Sequence, residues 1–170
     1  MTSLSIRRAA PADADRLPAI ERDAARRFAE VAGLQWLADG AVMAAARHLA
    51  LIQAGQGLVA EEAGYLLGFV QTDIQGDALH ILELAVRRDH QGRGIGGALM
   101  RAALEAGRQA GLARATLTTF AGLSFNEAFY RRLGFVTLAA PDARLAAILA
   151  SEAAHGLTGR CAMARPLRPA

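Results

Sequence analysis

The sequence predicts a mixed α/β fold, a mostly antiparallel central sheet of about seven strands flanked by helices. Three observations carry this. Seven short segments read as strands, from apolar residues that alternate or cluster between turn residues; the segments between several of them carry apolar residues at helical spacing. Hydrophobic residues make up 53% of 170, enough for the core of one domain, so residues 1–170 are read as a single domain.

Ser3–Arg8 is the first strand, with Leu4 and Ile6 alternating with polar residues. Pro11 then opens a helix. Asp13 and Asp15 lie in its first turn, where acids complement the helix dipole, and Leu17, Ile20, Ala24 and Phe28 share one face. After Gly33 a second helix is expected over Leu37–Gln53, with Leu37, Ala41, Ala45, His48 and Ile52 on one side. Gly55 and Gly57 close it.

The period then changes to two. Leu58–Glu61, Tyr65–Asp73 and Ala78–Val86 read as strands joined by Ala63-Gly64 and Gln75-Gly76-Asp77, an antiparallel meander. Ile95–Ala110 is a helix ended by Gly111, and Ala113–Phe120 is a strand. Ser124 and Glu127 have the spacing of a capping box opening a helix through Leu133, with Gly134 as terminator. Phe135–Leu138 is a strand, Asp142–His155 a helix, and Arg160–Arg165 the last strand.

Composition excludes several chemistries. All 19 basic side chains are arginine, so a Walker-type phosphate loop and a Schiff-base lysine are ruled out. The formal charge is only +3 and the arginines are interleaved with 16 acids, which argues against nucleic acid as a partner. No apolar stretch approaches the ~18 residues of a membrane span. The first ten residues lack the basic, apolar, small order of a signal peptide, so a cytoplasmic location is expected. One cysteine, Cys161, and four scattered histidines offer neither a disulfide nor a metal site.

The most informative segment runs from His80 through Val86 and a glycine-rich turn into the helix that begins at Ile95. Glycines let a backbone approach an anion closely, and the free amides of a helix N-terminus point toward it, so a diphosphate suits the turn. Gly92, Gly94 and Gly97 also satisfy the dinucleotide pattern G-x-G-x-x-G. A nicotinamide-dependent oxidoreductase would require an acid about 20 residues on, where this chain has Leu117-Thr-Thr-Phe120, and it would not follow hairpins.

At these residues the chain resembles the GNAT superfamily of acyl-CoA-dependent N-acyltransferases. Gln91, Gly94 and Gly96 match its phosphate loop, Gln/Arg-x-x-Gly-x-Gly/Ala, after a strand ending in Leu84-Ala85-Val86. Thr116–Phe120 followed by Asn126-Glu-Ala-Phe-Tyr130 and Gly134-Phe135 resembles a second landmark, and the element order fits along nearly the whole chain. The resemblance implies a sheet splayed between its fourth and fifth strands with acetyl-CoA as co-substrate. The main chain of Gln91, Gly92, Arg93, Gly94, Ile95 and Gly96 would bind the pyrophosphate. Arg87, Arg88 and Arg93 are candidate phosphate partners, and Leu84, Ala85 and Val86 would pair with the acyl-pantetheine arm like an added strand.

Asn126 and Tyr130 are four apart and share a helix face. The resemblance gives Asn126 a hydrogen bond to the pantetheine arm and makes the Tyr130 phenol, protonated at neutral pH, the acid for the leaving thiolate. For the base it leaves His80, Glu83 or a water. Alternation sets His80 on one strand face with Leu82 and Leu84, and Glu83 on the other. The implied reaction is direct attack of a primary amine, on a small molecule or peptide, upon the acetyl thioester. The alternative is a non-catalytic acyl-CoA-binding sensor on the same fold. Phe28, Trp36 and Glu21, on the N-terminal helices, are candidates for the acceptor pocket, and a homodimer is compatible with the family.

Overall fold

The computed structural model describes residues 3–168. The strands are β1 (Ser5–Arg8), β2 (Leu58–Glu62), β3 (Tyr65–Gln75), β4 (Ala78–Val86), β5 (Arg114–Phe120), β6 (Val136–Thr137) and β7 (Arg160–Pro166). The α-helices are α1 (Leu17–Ala25), α2 (Ala45–Gln53), α3 (Ile95–Gln109), α4 (Glu127–Arg132) and α5 (Ala143–Ala154). The strand order is β1-β2-β3-β4-β5-β7-β6. The β4/β5 pair is parallel, and β1/β2, β2/β3, β5/β7 and β6/β7 are antiparallel. This is the seven-stranded mixed sheet the sequence predicts.

The chain divides into two compact units, residues 3–73 with Leu82–Ala103, and Ile74–Ile81 with residues 104–168. In the first, the β2–β3 turn is a two-residue hairpin in which Ala63 (φ 51°) and Gly64 (φ 80°) are both left-handed, the geometry that matches strand twist. Its core gathers Leu17 and Ile20 of α1, Ile52 of α2, and Val59, Leu66 and Phe69 of the sheet. In the second unit, β5 pairs with β7 along its full length, and Leu117, Phe135, Leu145 and Met163 are buried. Gly107 of α3 sits where a Cβ would come within 3.0 Å of Leu167 and 3.1 Å of Leu79, so that glycine sets a close helix-to-strand approach.

Two expectations are corrected. The helix expected over Leu37–Gln53 is split: a 3-10 turn covers Gln35–Asp39, the backbone is extended at Gly40 (ψ 172°) and Ala44 (ψ 147°), and α2 starts only at Ala45. Gly40 in mid-segment removes the propensity that its alanine neighbours supply. The first helix likewise begins and ends in 3-10 turns, Pro11–Arg16 and Arg26–Glu30, on either side of α1. Nor do Ser124 and Glu127 form a capping box. The N-cap of α4 is Asn126, and the Glu127 carboxylate accepts from Gly122 N at 2.7 Å, from Arg131 and from Thr137 instead.

Asp13 ties the N-terminus to the sheet. It is 4% exposed, accepts from Arg7 at 2.7 and 3.1 Å and from Ala10 N at 2.7 Å, while Arg7 also reaches Glu61. The Arg7 bond holds the Asp13 carboxyl below the usual carboxylate range, against the opposing effect of burial. A depressed folded-state pKa contributes stability that is present above the unfolded value, near ~3.9, and is lost as pH falls through the folded one. Asp13→Asn is therefore expected to cost about 1.5–3 kcal/mol at pH 7, the range for a hydrogen bond to a charged group. The gap between variant and parent in urea denaturation should close below pH ~4; a gap independent of pH would mean that the Asp13 charge contributes nothing.

Candidate active site

In the first unit the site is built on the end of β4. The ladder of β4 with β5 covers Ala78, Leu79 and His80, all in the second unit. From Leu82 to Val86, β4 runs on beyond that ladder within the first unit. One edge is pressed against β3. A Cβ on Gly68 would lie 2.7 Å from Ala85 O and 3.3 Å from Val86 Cα, so only glycine permits this approach, and Arg87 N bonds Leu67 O at 2.8 Å.

Past Val86 the chain makes a 3-10 turn, Arg88–His90, and then the glycine loop. Gln91 folds back so that its Nε2 donates to Val86 O at 2.9 Å, pinning the loop to the strand end. Gly92 (φ 77°) and Gly94 (φ 81°) are left-handed, and nothing lies within 4 Å of a Cβ built on either. The space over the loop is open. The first helical bond of α3 runs from Ala98 N to Gly94 O, so the amides of Ile95, Gly96 and Gly97 belong to the first turn and have no acceptor within the helix. A 15-residue helix behind them adds its dipole.

The arginines sort differently from the sequence expectation. The Arg87 guanidinium donates to Leu66 O, and that of Arg88 to Arg26 O and Glu30, while the Arg88 backbone N–H donates to Asp23. Arg93 stands 4.0 Å from Glu62. Arg101, which sequence reasoning passed over, has its guanidinium 3.1 Å from where a Cβ on Gly97 would stand, against the first turn of α3. Its spacing of four from Gly97 was the available signal.

In the second unit, His80 is 3% exposed and its Nδ1 lies 2.9 Å from Thr116 Oγ1, its register partner on β5. Glu83 is half-buried on the part of β4 that belongs to the first unit. Asn126 is the N-cap of α4, just outside the helix, and its carbonyl accepts Tyr130 N at 3.0 Å. The half-buried Tyr130 ring packs edge-on against Phe129 and Phe135, at 5.0 and 6.0 Å between centroids. Its carbonyl receives Leu133 N and Phe135 N and so closes the helix at Gly134 (φ 87°). Burial pushes the Cys161 thiol up, which makes it a poor nucleophile. Among the described residues no group of His, Cys, Asp and Glu could hold a metal ion, and no helix is long and apolar enough to cross a membrane.

A strand end that runs beyond its ladder into a glycine loop and a helix N-terminus can hold an extended amide-bearing chain that ends in a diphosphate. Comparison with known proteins gives the family and the fold. Residues 17–135 match the model of the acetyltransferase (GNAT) family. Among solved structures the chain is similar to the PaiA N-acetyltransferase of Thermoplasma acidophilum in complex with coenzyme A (TM-score 0.75, 17% identity, covering 96% of this chain and 99% of that one). It is similar to the ribosomal-protein-S18-alanine N-acetyltransferase of Escherichia coli (0.69, 18%, 99% and 96%). A GNAT family acetyltransferase of Brucella melitensis, in complex with acetyl-CoA, gives a TM-score of 0.57 at 27% identity over 79% and 83% of the two chains.

Proposed function

The chain belongs to the GNAT acetyltransferase family, and from that premise we propose that it transfers an acetyl group from acetyl-CoA to a primary amine of a small molecule or peptide. The end of β4 over Leu84, Ala85 and Val86, beyond its ladder with β5 and continuous with the loop Gln91–Gly96, is the observation that carries this reading. It fits a pantetheine arm followed by a pyrophosphate, and the acetyl-CoA complex of the Brucella melitensis relative supports the donor. The bound co-substrate supplies an activated thioester.

The residues have separate tasks. Backbone groups of Leu84 to Val86 hold the amide chain in extended form, with Asn126 as a side-chain partner. The amides of Gly92, Arg93, Gly94, Ile95 and Gly96 neutralise the diphosphate, with that of Gln91, which donates to Arg88 O at 3.3 Å, at the edge of the loop, and the open left-handed glycines leave room for it. An amine must lose a proton to attack, and Glu83 is the base we favour. A carboxylate can accept the proton itself or orient a water that relays it, and His80, buried with Nδ1 2.9 Å from Thr116 Oγ1, is the alternative. Tyr130 returns a proton to the departing thiolate. No acyl-cysteine step is needed, in keeping with the raised Cys161 thiol. The reading treats the chain as one catalytic domain.

The test is a thiol-release assay with acetyl-CoA over a panel of amines, run beside thermal unfolding with CoA. Turnover of at least one amine, with Glu83→Gln losing more rate than His80→Ala, is the expected result. Stabilisation by CoA without turnover across the panel would instead establish the binding-only alternative.

A further inference from the structure

Arg88 opens the 3-10 turn between β4 and the glycine loop, and it bonds in two directions. Toward the N-terminal helices its backbone N–H donates to Asp23 Oδ2 of α1 at 2.8 Å, its Nη1 to Arg26 O at 2.8 Å, and its Nη2 to Glu30 Oε1. Toward the loop its carbonyl accepts Gln91 N at 3.3 Å, while Gln91 Nε2 returns to Val86 O. The far side of this strut is firm, because Leu17 and Ile20 of α1 lie in the core of the first unit. On the near side Gly92 and Gly94 are left-handed, and nothing lies within 4 Å of a Cβ built on either. Glycines lose more conformational freedom than other residues when they are fixed, so a loop of this composition needs an anchor.

We propose that Arg88 is a positioning residue for the diphosphate: held by Asp23, Arg26 and Glu30, it sets the loop over residues 91–96 in its anion-binding form before the co-substrate arrives. The inference rests on the acyl-CoA reading above, and it gives Arg88 a role through the loop rather than a contact with phosphate. Its guanidinium already serves a carbonyl and a carboxylate that neutralises it, so direct ligation of a phosphate would have to displace those bonds. The three bonds join residues 58 to 65 positions apart, so they fix the loop against a packed helix and not merely against its own neighbours. Preorganisation of this kind raises affinity by removing the ordering cost from the binding step. It adds little to global stability, because the Arg88 and Glu30 side chains are 42% and 72% exposed. Binding and stability therefore respond differently to its loss.

The experiment titrates CoA into the full chain by calorimetry and follows amide hydrogen exchange of the ligand-free protein over residues 89–97. Arg88→Met keeps the apolar stem and removes both guanidinium bonds. A loop left competent about one-tenth of the time weakens the apparent affinity ~10-fold, and that is the loss expected for CoA. Exchange over the loop should quicken while the rest of α3 is unchanged, and Tm should stay within roughly 3 °C of the parent. Glu30→Ala separates positioning from contact. It removes a negative charge and releases the guanidinium from its carboxylate, so an Arg88 that touched phosphate would bind CoA at least as tightly as before. A positioning Arg88 loses an anchor instead, and CoA should bind ~3-fold more weakly or worse. In the double variant the two losses should not add. An Arg88→Met variant within twofold of the parent, unchanged loop exchange, or a Glu30→Ala variant as tight as the parent each overturns this assignment alone. Should Arg88→Met fail to fold, the exposed Glu30→Ala change carries the same test. A parent protein that does not bind CoA overturns the acyl-CoA reading and this assignment together.

Discussion

Gly94→Asp is expected to abolish the stabilisation that CoA gives the folded protein. A ligand that binds only the native state at about 100 times its Kd adds ~2.7 kcal/mol, which for a chain of this size raises Tm by roughly 5–10 °C. Gly94 is left-handed at φ 81°, and a Cβ there meets nothing within 4 Å. The substitution therefore introduces no clash. It introduces a φ penalty, smallest for Asp and Asn among residues with a side chain, and a negative charge where the diphosphate is expected. Gly94→Asn separates the two, because it carries the same shape and the same backbone cost without the charge. Loss of the thermal shift in the Asp variant and its retention in the Asn variant would place the anion at this loop; equal shifts in both would move the diphosphate elsewhere.

The loop could be read before the structure because its chemistry is local in sequence. A strand, left-handed glycines and a helix N-terminus occupy one continuous stretch from β4 to α3, and each leaves a residue-level mark. The same holds for the hairpin at Ala63-Gly64 and for α5, where Asp142 accepts from Leu145 N as an N-cap should. The misread second helix has the opposite cause. Alanine at 41, 44, 45 and 46 sustains a helical pattern in any register, so composition concealed the extended backbone at Gly40 and Ala44. The Ser124 to Glu127 spacing was genuine, but the Glu127 carboxylate found a nearer donor in Gly122 N.

What escaped the sequence was contact between distant residues. His48 and Gln71 lie on different elements, and no spacing links positions 23 apart. Gly68 reads as an ordinary strand glycine until Ala85 O is found 2.7 Å from its missing Cβ. Arg87 and Arg88 invited a phosphate role from their position, and only the structure shows their guanidinium groups bonded to Leu66 O, Arg26 O and Glu30. For the candidate site this means that the backbone scaffold was legible, whereas the partners of its side chains were not.

Tyr130→Phe is expected to lower the chemical step by ~100-fold or more while CoA still stabilises the protein, since general acid catalysis contributes on that scale. The structure makes this a clean substitution. Tyr130 closes α4 through its main chain, receiving Leu133 N and Phe135 N, and its ring lies edge-on to Phe129 and Phe135. Phenylalanine keeps all of these contacts, so the cost to stability should not exceed one ordinary hydrogen bond, ~1 kcal/mol. An acid must carry its proton to act, so the parent rate should fall at high pH as the phenol ionises, near ~10 for an ordinary tyrosine, and that limb should vanish in the variant. The comparison belongs in single-turnover conditions, because slow product release would hide a change in chemistry. A variant within threefold of the parent, with the alkaline limb unchanged, would reduce Tyr130 to a packing residue and leave protonation of the thiolate to water.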